Sequence, residues 1–75
     1  MERELTEQEI LEIKKEFEDI PKVDYCSIDK VRYTRINVEM IRGTTHEERS
    51  VVYKKEQEIH DKYADVSLEF NTFGG

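Results

Sequence analysis

Thr6-Glu7-Gln8-Glu9 and Thr45-His46-Glu47-Glu48 each place a threonine three residues ahead of a glutamate. At that spacing the Thr oxygen accepts the N3 amide while the Glu carboxylate accepts the cap amide, so both stretches mark helix starts. Each leads through a helical pattern into an alternating, strand-like run. The chain therefore reads as two helices, each feeding one or more strands.

In the first helix Ile10, Ile13, Phe17 and Ile20 recur at spacings of three and four, with Leu11 at the margin of the stripe. Leu5 and Ile10 hold the hydrophobic-staple positions around the cap. Pro21 ends the helix, because the residue before a proline is driven out of the α region. The second helix spans Thr45 to about Tyr63, with a narrow seam of Val52, Ile59 and Tyr63 that suits the margin of a core.

Between them Val23 to Ile41 alternates. Val31 and Tyr33 share one parity while Ile36, Val38 and Met40 share the other, so the core-facing register slips at Thr34-Arg35. A β-bulge there, with a hairpin turn at Asp29-Lys30, restores one apolar face and makes Tyr33 a core residue. The rival reading turns the chain at Thr34-Arg35 itself. Val66, Leu68 and Phe70 alternate with Ser67, Glu69 and Asn71 as a third strand.

The order αββαβ predicts a single α+β domain over residues 1–75: a two-layer sandwich with both helices on one face of a three-stranded mixed sheet, its last two strands joined by a right-handed crossover. This order resembles truncated ferredoxin-like modules, such as the cytoplasmic C-terminal domain of cation-efflux transporters. The resemblance is one of architecture and transfers no site residue.

Seventy-five residues bury only about 60% of the surface of the unfolded chain, which leaves little room for a deep cleft and sets the expectation against an enzyme. The net charge of −6 repels phosphate backbones, so no nucleic-acid partner is expected. Recognition of RNA by the sheet would need two or three outward-facing aromatics on neighbouring strands, and the chain offers basic residues without them, although Tyr25, Tyr33 and Tyr53 would add contact area to a protein-docking surface if exposed. Cys26 is the only cysteine, which points to a reducing compartment, the cytoplasm, and to a small buried packing residue rather than a nucleophile. No apolar run approaches the roughly 20 residues that span a bilayer, so no membrane association is expected.

The basic excess lies in the middle of the chain, where Pro21 to Gly43 carries +2 against −5 before it and −3 after. Lys30, Arg32 and Arg35 are expected on the sheet face away from the helices. With Arg42 they form a candidate surface for an acidic protein partner. The leading expectation is an interaction or regulatory module that self-associates, as a homodimer, through a sheet face or edge strand. The alternative is a metal-responsive sensor using Glu56, His60 and Asp61, with His46 or Cys26 as a further ligand. No cofactor is expected, since no Gly-rich phosphate loop exists. The pair Gly74-Gly75 reads as a flexible end.

Overall fold

Both capping boxes close. In the computed structural model, which describes residues 3–30 and 32–74, Thr6 caps helix α1 (Glu7–Glu18) and Thr45 caps α2 (His46–Lys62). The Glu9 amide donates to Thr6 Oγ1 at 3.2 Å and the Thr6 amide donates to Glu9 Oε1 at 2.9 Å. Thr45 and Glu48 repeat the pattern at the same distances. Arg3 grips Glu9 with two nitrogens at 2.8 and 2.9 Å and reaches Asp65 at 2.6 Å, tying the start of α1 to the segment after α2. Those bonds, the Arg3 guanidinium first, hold the Glu9 carboxyl down to about 2.

The three strands β1 (Val23–Lys30), β2 (Thr34–Met40) and β3 (Leu68–Phe73) form one sheet in the order β1-β2-β3. β1 and β2 are antiparallel, while β2 and β3 are parallel and joined through α2. The architecture is thus the expected two-layer α+β sandwich, of ferredoxin-like kind, with β2 as its central strand. In a complete ferredoxin-like sheet the βαβ unit is split by an intervening strand; here the parallel pair is in direct contact.

The hairpin departs from expectation. β1 continues to Lys30, which pairs with Thr34, so the chain reverses between these two residues, between the two turns anticipated. The parity change needs no bulge at Thr34-Arg35, because the connection itself separates the two registers. β2 instead alternates without interruption, with Thr34, Ile36, Val38 and Met40 buried. The irregularity falls at the other end, where Asp24 is the extra residue between the pairs Val23–Met40 and Tyr25–Glu39. Tyr33, expected in the core, is 36% exposed, and Val31 lies outside the described residues.

One core joins the layers. Ile13 and Phe17 of α1, Val52 and Ile59 of α2, and Cys26, Ile36 and Val38 of the sheet are shut from solvent, with Leu5, Ile20, Met40, Tyr63 and Val66 around them. Phe17 also meets Phe70 at 6.3 Å between ring centres. Both helices therefore lie on the same side of the sheet.

Two backbone positions are special. Pro21-Lys22 forms the turn into β1, closed by Val23 N–H to Ile20 O at 3.2 Å, and Lys22 takes φ +76° where glycine is usual. Gly74 has φ +91°, and a Cβ there would collide with the Met40 carbonyl oxygen. Its own carbonyl accepts a bond from Arg49, which ties this exposed residue to α2; Gly75 lies outside the described residues. No helix among the described residues is long and apolar enough to cross a membrane.

Candidate protein-interaction surface

Strand pairing aligns the side chains of the uncovered sheet face in three rows. At the hairpin end Asp29, Arg35 and Glu69 stand side by side; then Ser27, Asn37 and Asn71; then Tyr25, Glu39 and Phe73. Within this grid Asn37 Nδ2 donates to Asp29 Oδ2 at 2.9 Å, and Asn71 Nδ2 donates weakly to Asn37 and Glu69 at 3.4 and 3.3 Å. Arg35 Nε lies 3.2 Å from Glu69, a charge contact without the alignment of a hydrogen bond, and the guanidinium sits 5.7 Å from the Tyr33 ring centre.

The four cations proposed from sequence do not form one patch. Lys30 shares the parity of buried Cys26, so it lies on the helix side, where its ammonium donates to Leu5 O at 3.0 Å; its expected place on the open face is corrected. Arg32 is exposed in the hairpin connection and, with Arg3, Lys30 and Tyr33, lines a cavity of about 200 Å³. Arg35 alone occupies the open face. Arg42 follows β2 at the opposite end of the sheet and is exposed. On the face itself Asp29, Glu39 and Glu69 outnumber Arg35, so it is acidic rather than basic.

Aromatic side chains also stand on or beside this face. Tyr25 and Phe73 flank Glu39 with about half of each exposed (49% and 48%), and Tyr33 stands at the other end against Arg35. Tyr25 was legible from its opposite parity to Cys26. Phe73 lies beyond the alternation of Val66 to Asn71, so spacing alone does not place it on the strand.

The two outer strands differ in how they are guarded. In β1 the ladder directs the Cys26 amide outward, away from β2, and the Glu18 carboxylate of α1 accepts it at 3.1 Å while also holding Lys14 at 2.6 Å. In β3 the bond from Thr34 N–H to Ser67 O sets the parallel ladder, so Ser67, Glu69, Asn71 and Phe73 face β2 while Leu68, Phe70 and Thr72 turn their amides and carbonyls outward. Beside that edge Tyr53, Glu56, Gln57, His60 and Phe70 line a shallow cavity of about 240 Å³.

The metal candidates are not assembled. Glu56 turns to β3, where Thr72 Oγ1 donates to its carboxylate at 2.6 Å, and burial raises the carboxyl above its ordinary value against that bond. His60 and Asp61 are exposed and 3.9 Å apart. Among the described residues no three His, Cys, Asp or Glu side chains come together as a metal site. Cys26 is fully buried, and burial, reinforced by the Glu18 carboxylate, pushes its thiol up to about 12, which leaves no thiolate near neutrality. Comparison with protein-family models, with curated proteins and with solved structures gave no match.

Proposed function

We propose that this chain is a small interaction module that works by offering its sheet to a protein partner, in the cytoplasm, where reducing conditions suit a lone thiol. The observation that carries this reading is the exposure of Tyr25 and Phe73 on the sheet side away from both helices, with Tyr33 exposed against Arg35 at the hairpin end. Tyrosine and phenylalanine are enriched in protein interfaces, where they bury much area at little cost in side-chain entropy. Nucleic acid is the poorer fit even with aromatics present, because Asp29, Glu39 and Glu69 would confront a phosphate backbone. No catalytic step is proposed.

The test compares proteins retained from cell extract by the wild-type chain and by the Tyr25→Ala/Phe73→Ala variant. Both positions are half-exposed, so the fold tolerates the change. Loss of a retained protein on the variant supports the reading; retention of the same set by both overturns it.

A further inference from the structure

We infer that the free edge of β3 pairs with the β3 edge of a second copy, antiparallel across a two-fold axis at Phe70, to make one continuous sheet through both subunits. This rests on the reading that the sheet is the working surface, and adds to the open face a second contact, made by the β3 edge with another copy of the chain.

The argument begins with the contrast between the edges. Exposed strand edges are templates for pairing, and proteins blunt them with charge, proline or a covering element. The β1 edge carries Asp24, Asp29 and Lys30, lies beside α1, and has its Cys26 amide taken by Glu18. Along Leu68–Phe73 the only charge is Glu69, there is no proline, and among the described residues no strand lies outside it.

Symmetry then selects the register. An antiparallel two-fold pair centred on Phe70 sets Leu68 opposite Thr72 of the second copy and Phe70 opposite its own image. All three residues point their amides and carbonyls outward, so each of these groups on both copies gains a partner. A centre at Asn71 would set Leu68 opposite Gly74, which lies beyond the end of β3 and whose carbonyl is already taken by Arg49. A centre at Glu69 would set the two carboxylates face to face. With the Phe70 centre Glu69 instead meets Asn71 of the second copy, amide against carboxylate. On the helix side, Phe70 and the half-exposed Tyr53 of each copy would fill the shallow cavity between β3 and α2. Face-to-face pairing is the weaker alternative, since it would stack Asp29, Glu39 and Glu69 of one copy on those of the other.

The full chain is examined by sedimentation equilibrium, with circular dichroism as a check on folding. A dimer at micromolar concentration is expected. Asn71→Glu, which places a carboxylate opposite Glu69 of the second copy at two symmetry-related places, should weaken it roughly tenfold, and Asn71→Lys should tighten it. Amide exchange at Leu68, Phe70 and Thr72 should slow as protein concentration rises. A chain monomeric to millimolar concentration overturns the inference, leaving the edge to an extended peptide of another protein. A dimer indifferent to both Asn71 changes but broken by Tyr25→Glu also overturns it, by moving the interface to the open face. Neither result touches the capture experiment, which stands or falls on Tyr25 and Phe73.

Discussion

The Glu18 carboxylate accepts the Cys26 backbone amide at 3.1 Å, closing with a helix side chain a hydrogen bond that a neighbouring strand would otherwise make. The same oxygen binds Lys14 at 2.6 Å, and these two contacts, Lys14 the larger, hold the Glu18 carboxyl below its ordinary value. The stabilisation is therefore present above the unfolded value of about 4.3 and is lost as pH falls toward the lower folded one.

Glu18→Ala should cost about 1 kcal/mol near neutral pH, with the penalty shrinking in acid as the wild-type contact is itself protonated away. Urea unfolding at the two conditions measures this. Exchange of the Cys26 amide should accelerate in the variant.

Glu56 carries the opposite sign. Burial raises its carboxyl in the folded chain, so its contribution is most favourable below the unfolded value and declines as pH rises through the raised one. Glu56→Gln keeps an acceptor for Thr72 Oγ1 and removes the half-buried charge. The variant should be more stable than wild type near neutrality and should flatten the decline of stability with rising pH, which denaturation across mildly acidic to neutral buffers would read out.

Lys22 holds φ +76° with a side chain, a conformation that costs an L-residue roughly 1–2 kcal/mol. Its contact with Glu48, 4.0 Å long between half-exposed groups, offsets almost none of that. Lys22→Gly should therefore raise stability by roughly 0.5–1 kcal/mol, the remainder being spent on the greater freedom of the unfolded chain. Thermal and urea unfolding would detect the gain.

Cys26 is wholly buried, with its thiol pushed up to about 12. A thiol-specific reagent at mildly alkaline pH should react only as fast as the chain opens, and addition of urea should raise the rate in step with the unfolded fraction. Rapid labelling of the folded chain would contradict this burial.

Much of the architecture was legible locally. Thr6 with Glu9 and Thr45 with Glu48 announce the helix starts because a capping box is made within four residues. Ile13, Phe17, Val52 and Ile59 announce the core because periodicity reports which face of a helix is dry. The hairpin was misplaced because Val31 and Tyr33 look like strand residues, and alternation alone does not distinguish a bulge from a hairpin connection.

The candidate surface was less legible. Lys30 reads as an open-face cation until Leu5, distant in sequence, brings a carbonyl to its ammonium. Arg35 reads as free until the parallel register sets Glu69 beside it.

Element order, helix boundaries and the dry faces of helices and of β2 were determined by the sequence alone, since capping and periodicity act among near neighbours. Strand order, the acidic and aromatic character of the open face, and the contrast between a β1 edge closed by Glu18 and an open β3 edge were decided only by the tertiary structure. Those properties depend on which distant segments lie side by side, and local spacing carries no record of that.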